Sequence, residues 1–207
     1  MLKVGLTGGI GSGKTTVAHL LHLLGYPVYN CDREAAHIVN NNPKVRYSLT
    51  TLFGDSIYTG QGSLDKTLFA SILFADPAAL KKANGIIHPA VMHHFHQWCT
   101  LQKKTLAFCE SAILFEAELE KEFDAIVAVY AKTETRVQRV LQRDGIARED
   151  ILKRVNSQLP EEEKREKAHF VICNDDNEML LPQILEMLDK LHLIISTTQT
   201  RQHGKSG

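Results

Sequence analysis

The chain has no net charge, no long apolar run and no paired cysteine pattern, and each absence removes a class of function. Lys plus Arg and Asp plus Glu both number 24 among 207 residues. No overall field therefore draws the protein to nucleic acid or to an anionic membrane, and neither is an expected partner. No segment reaches the ~18 apolar residues that a membrane span needs. Nothing at the N-terminus reads as a signal peptide, because Gly8, Gly9, Gly11 and Gly13 interrupt any apolar stretch after Met1. Cys31, Cys99, Cys109 and Cys173 are scattered without the CxxC spacing of zinc or redox sites. They read as reduced thiols, and the expected location is cytoplasmic.

Hydrophobic residues make up 43% and charged residues 23%, close to the globular average, so enough apolar surface exists to build a core. The length suits one elaborated α/β domain, residues 1–207. Apolar runs at Lys3–Leu6, Val28–Tyr29, Leu106–Cys109, Ile126–Tyr130 and Phe170–Cys173 are separated by helical patterns. Five such strands predict a parallel sheet flanked by helices, a three-layer α/β fold. Core strands fall within 1–32, 104–132 and 169–193. The stretch from Tyr29 to Leu106 far exceeds the ~12 residues of a plain crossover, which predicts a helical insertion at about 34–103. Within it Pro43 opens one helix, Asp65 caps another, Asp76 and Pro77 start a third, and Gly54–Ser63 is a polar loop. A second insertion, about 134–167, is dense in charge (Arg136, Arg139, Arg143, Arg148, Arg154, Lys164, Arg165) and suits a mobile helical lid divided in two by Pro160. A last helix ends near Leu193, and 196–207 reads as a disordered tail.

The strongest motif is Gly8-Gly9-Ile10-Gly11-Ser12-Gly13-Lys14-Thr15, which matches G-x-x-x-x-G-K-[ST] between a strand and a helix. Glycines let the backbone wrap phosphates with N–H groups pointing inward, and the following helix adds the positive end of its dipole. Gly11, Ser12, Gly13, Lys14, Thr15 and Thr16 are therefore the expected ATP-binding loop. Lys14 reaches the β- and γ-phosphates, and the Thr15 hydroxyl is the expected Mg²⁺ ligand.

A GTPase switch would carry N-K-x-D, but Asn174-Asp175-Asp176-Asn177 lacks the lysine, and the strand at Leu106–Cys109 ends in Glu110 rather than a Walker-B aspartate. A small-molecule kinase fits better. Such kinases place a carboxylate on the acceptor hydroxyl, and Asp32, after the second strand, is the candidate; that strand is expected to lie beside the first. Spacing alone leaves Asp32 equally readable as an N-cap for Glu34–Val39.

With these features placed, the chain resembles the dephospho-CoA kinase family from about Leu2 to about Leu193. The likeness is carried by Leu6-Thr7-Gly8-Gly9-Ile10-Gly11-Ser12-Gly13-Lys14, by Asp32, by Ile87-His88-Pro89, by Ile113-Leu114-Phe115-Glu116 and by Gln142-Arg143-Asp144. Gln158, Lys164, Ala168 and Asn174 continue it. The resemblance implies a P-loop kinase fold and the reaction of ATP with dephospho-CoA to give ADP and CoA, with Asp32 as the base for the ribose 3′-hydroxyl. It implies that His88 and Leu114 contribute to dephospho-CoA binding, and it favours Arg143 in the lid. Asn30, Ala36, Lys66 and His169 depart from the family pattern.

Arg139 and Arg143 lie one helical turn apart and either lean over the phosphates as catalytic cations or form a solvated face. His88 shapes the substrate pocket or packs. His93, His94 and His96 invite a metal reading, but no cysteine or carboxylate completes a zinc set. Glu110 and Glu116 either orient a Mg²⁺-bound water or form surface salt bridges. Asn174 is a candidate adenine contact. A monomer or weak homo-oligomer is expected.

Overall fold

The computed structural model describes the backbone of residues 1–203 and the side chains of residues 1–197. In chain order the elements are β1 (Leu2–Thr7), α1 (Lys14–Leu23), β2 (Val28–Asn30), α2 (Cys31–Asn41), α3 (Pro43–Phe53), α4 (Lys66–Ala75), α5 (Pro77–Thr100), β3 (Leu106–Glu110), β4 (Ala125–Tyr130), α6 (Thr133–Asp144), α7 (Arg148–Asn156), α8 (Glu161–Lys167), β5 (Phe170–Cys173) and α9 (Leu180–His203). The chain separates into two compact units, residues 30–101 forming one and the flanking segments the other.

The first unit is built on a five-stranded sheet of order β2-β3-β1-β4-β5. β1 pairs in parallel with β3 and β4, and β4 with β5. The expectation that β2 adjoins β1 is corrected: β3 lies between them. The reason is visible in its side chains, since every residue of β3 is buried, as a central strand covered on both faces requires. Val4, Leu6, Phe108, Val127 and Val129 meet Val17 and Leu21 of α1 and Ile184, Leu188 and Leu191 of α9 in one core.

Two boundaries differ from the sequence reading. The segment expected as a two-piece mobile lid forms three helices, because Gly145 ends α6 in the left-handed region (φ 63°) before Pro160 makes its own break. It is packed, with Val137, Val140 and Ile151 fully or almost fully buried together. The last helix runs past Leu193 to His203, where a tail was expected from Ser196; no glycine or proline stands in that stretch to stop it. Residues 204–207 of the expected tail lie outside the described residues.

In the second unit α2, α3 and α4 each pack on α5. Asn42 caps α3 ahead of Pro43, Asp65 accepts from the Thr67 and Leu68 N–H groups at 3.1 and 3.0 Å, and Asp76 accepts from Ala78 N–H at 2.8 Å. The polar loop after α3 is pinned by Arg46, which donates to Gly62 O at 2.5 Å and lies 4.0 Å over the Tyr58 ring. α2 settles the capping question: Asn30 is its N-cap, accepting from Arg33 N–H at 2.8 Å, and Asp32 lies inside the first turn. Asn30→Ala is therefore expected to destabilise the second unit by about 1 kcal/mol in urea unfolding, with Asp32→Ala changing stability much less. The reverse order would assign the cap to Asp32.

Candidate functional site

β1 delivers the chain into the glycine loop and α1 leaves it at Lys14. Gly13 is the N-cap of α1 with φ 89°, and no side chain caps that end, which leaves first-turn N–H groups available to an anion. Gly11 also sits in the left-handed region, with φ 78°. A Cβ there would stand 2.5 Å from the Arg136 carbonyl oxygen, so both backbone conformation and space demand glycine.

The two motif side chains converge on one carboxylate. Glu110 Oε1 accepts from Lys14 Nζ at 2.8 Å and from Thr15 Oγ1 at 2.7 Å. The Glu110 side chain is only 4% exposed and that of Lys14 10%, so the surface salt-bridge reading of Glu110 is corrected. It closes the β3 strand beneath the phosphate loop, where a hard oxygen donor can share a cation with the Thr15 hydroxyl. Thr16 is exposed on the same first turn.

Three polar atoms around the loop are buried without a hydrogen-bond partner: Thr7 Oγ1, Ser12 Oγ and Arg139 Nη1. A Cβ placed on Gly13 would meet Arg139 Nη1 at 3.9 Å, so this guanidinium sits beside the loop with a free donor. Its other nitrogen, Nη2, donates to Asp176 Oδ1 at 3.3 Å. Arg143 is turned elsewhere. Its side chain is 65% exposed and makes a two-point contact with Asp144 at 2.7 and 2.9 Å, a bond that raises the Arg143 pKa and holds the Asp144 carboxyl below its usual range. Of the two expected cations, the structure brings Arg139 to the loop.

Asn174 Nδ2 donates to Ser12 O at 2.8 Å, and its backbone N–H to Tyr130 O at 2.7 Å. The side chain is thus a brace for the loop. Leu114, expected at the substrate, is fully buried over Gly5 and packs with Phe115 and Ile126; its side chain belongs to the core. Ile113, at 40% exposure, is the accessible neighbour. Glu116 accepts from Leu159 N–H and from Lys164 Nζ, both at 2.9 Å, and Lys164 is fully buried.

In the second unit the Asp32 side chain is exposed at the start of α2, free of capping duty. His88 lies half-buried in α5, and burial lowers its pKa, which favours the neutral imidazole. Among the described residues no group of three or more His, Cys, Asp or Glu is arranged to hold a metal, and His94 instead approaches Glu34 at 4.0 Å. His169, one of the departures, accepts from Ile126 N–H through Nδ1 at 3.1 Å and extends the strand pairing at the start of β5.

Sequence reasoning missed Arg136 and Glu161 altogether as site residues. Arg136 is 2% and Glu161 7% exposed, and both contact the glycine loop. The only available signal was Arg136 standing among apolar positions of a helix otherwise read as a charged lid.

A family model described as dephospho-CoA kinase matches residues 2–179. A dephospho-CoA kinase of Bacteroides fragilis is 46% identical over 201 residues, covering 94% of this chain and 97% of the relative. One from Porphyromonas gingivalis is 35% identical over 190 residues, covering 91% and 94%. The crystal structure of TT1252 from Thermus thermophilus superposes with a TM-score of 0.79 at 37% identity, covering 93% of this chain and 96% of that one. The geometry separates the two arginines for experiment. Arg139→Met is expected to weaken ATP binding about tenfold or more in calorimetry, consistent with one charge-assisted contact, and Arg143→Met to change it less than threefold. Equal losses would place both on the nucleotide.

Proposed function

The chain belongs to the dephospho-CoA kinase family, which uses ATP to phosphorylate the ribose 3′-hydroxyl of dephospho-CoA in the last step of coenzyme A biosynthesis, and from that premise we propose how its residues divide the work. The observation that carries the reading is the convergence of Lys14 and Thr15 on buried Glu110 beneath an uncapped helix start.

The loop from Gly11 to Thr16 binds the phosphates of ATP, its N–H groups and Lys14 meeting the negative charge. Arg139 turns its free Nη1 to the transferring phosphoryl group. The residues present suit Mg²⁺: the Thr15 hydroxyl and the Glu110 carboxylate are hard oxygen donors 2.7 Å apart, the type this ion takes along with phosphates and water. When bound, it neutralises charge on the β- and γ-phosphates. Asp32 accepts the proton of the 3′-hydroxyl as that oxygen attacks the γ-phosphorus; the bond to the bridging oxygen breaks and ADP leaves. Its exposed carboxylate, released from capping by Asn30, supports that role. His88 contributes to dephospho-CoA binding as a neutral ring that donates or accepts one hydrogen bond. Asn174 steadies Ser12 and offers Oδ1 to the adenine. The protein works in the cytoplasm as a monomer or weak homo-oligomer; among the described residues no helix is long and apolar enough to cross a membrane.

The test is ADP release with Mg²⁺ and ATP in the presence of dephospho-CoA, AMP or no acceptor. Only dephospho-CoA should drive turnover. Asp32→Asn should lower kcat by about 10²- to 10⁴-fold, the usual worth of a general base, while ATP binding persists. Equal use of AMP would point to a nucleoside monophosphate kinase, and full activity of Asp32→Asn would remove Asp32 from the chemistry.

A further inference from the structure

The glycine loop is held on its outer side by a charge pair that the reaction does not itself require. Arg136, on α6, and Glu161, at the start of α8, face each other with Nη1 and Oε1 3.4 Å apart. Both are more than nine-tenths buried. Each also bonds the loop: the same Glu161 Oε1 accepts from Gly9 N–H at 3.1 Å, and Arg136 donates through Nε to Ile10 O at 2.9 Å. Gln158, just before α8, accepts from Ile10 N–H at 2.9 Å. Gly9 N–H and both the N–H and the C=O of Ile10 are thereby fixed, from α6, from α8 and from the segment just before α8.

The fit leaves no slack. A Cβ on Gly9 would overlap both Arg136 and Glu161, and one on Gly11 would meet the α6 backbone itself. Lys164, 3.9 Å from Glu161 and 2.9 Å from Glu116, supplies a second buried cation behind the pair. Burial raises the Glu161 pKa, and the two cations and the Gly9 N–H oppose that rise.

We propose that Arg136 and Glu161 are positioning residues for the phosphate loop, holding Gly9 and Ile10 in their nucleotide-binding conformation before any nucleotide arrives. A glycine-rich loop loses more backbone freedom on ordering than other sequences, so an empty loop left unbraced would oppose binding by that entropy. Here the ordering accompanies folding instead. The pair acts through the loop and touches no reacting atom. This rests on the reading of the loop as a nucleotide site and is independent of which acceptor is phosphorylated.

A purely architectural pair, tying α6 to α8, would leave nucleotide affinity unchanged when replaced by well-packed apolar residues, which often substitute for buried ion pairs without loss of fold. The experiment is therefore ADP binding by calorimetry, with Tm measured beside it, on wild type, Glu161→Gln and the double variant Arg136→Met with Glu161→Met. The double variant should keep Tm near wild type yet bind ADP about tenfold more weakly, as expected for two lost hydrogen bonds. Glu161→Gln, whose amide oxygen still accepts from Gly9 N–H, should retain most of the affinity. Wild-type affinity in a folded double variant, or equal losses in both variants, would overturn the proposal. Should the double variant not fold, amide exchange of the nucleotide-free wild type decides: Gly9 and Ile10 should be protected while Gly11 and Gly13 exchange fast, and fast exchange at all four would overturn it. Because ADP is the probe, a wild type that binds ADP but fails to phosphorylate dephospho-CoA would count against the proposed function and leave this test intact.

Discussion

One carboxylate oxygen, Glu110 Oε1, holds both the lysine and the threonine of the phosphate loop, at 2.8 and 2.7 Å, and the rest of the first unit is arranged to keep it there. Burying a carboxylate and an ammonium costs several kcal/mol per ion, so the pair persists only where its geometry is good and further hydrogen bonds share the charge. The sheet order supplies that geometry. β3 lies directly beside β1, with Glu110 opposite Leu6, one residue before the strand ends. Lys14 and Thr15 then reach back from the first turn of α1. Had β2 taken the place beside β1, the carboxylate under the loop would have had to come from another strand.

Around this centre the loop is braced from three further directions. Asn174 ties Ser12 to the end of β5, Arg136 and Glu161 tie Gly9 and Ile10 to α6 and α8, and Gly11 abuts the α6 backbone. The segment richest in charge is thus divided by task. Arg136 and Lys164 are buried structural cations, Arg139 keeps a nitrogen free beside the loop, and Arg143 is engaged with Asp144 near solvent. Positions 136, 139 and 143 are three and four residues apart and so lie along one side of α6, and it is the partner each guanidinium meets, Ile10 O, Asp176 or Asp144, that separates their tasks.

The fold and the loop were legible because both rest on local pattern. All five strands lie where the apolar runs are, and the glycine motif sits between β1 and α1. What could not be read rests on tertiary partners. The burial of Glu110 depends on which strand neighbours β1, and composition does not encode strand order. Asp32 and Asn30 are both good caps, and only the observed start of α2 at Cys31 decides between them. Leu114 stands in a family motif, yet its side chain fills the space above Gly5. Arg136 and Glu161 lie twenty-five positions apart in a run of charges; only the apolar neighbours of Arg136 hint at burial, and nothing local marks Glu161 as its partner.

The most direct measurement is the rate of CoA formation by Glu110→Gln at saturating ATP, dephospho-CoA and Mg²⁺. Glutamine is nearly isosteric and keeps an acceptor for Thr15, but it loses the charge that orients Lys14 and draws the metal ion. A fall in kcat of about 10²-fold or more, the scale of removing a group that positions transition-state charge, is the expected result, with the fold retained. A kcat within a few-fold of wild type would contradict the central place given to this carboxylate.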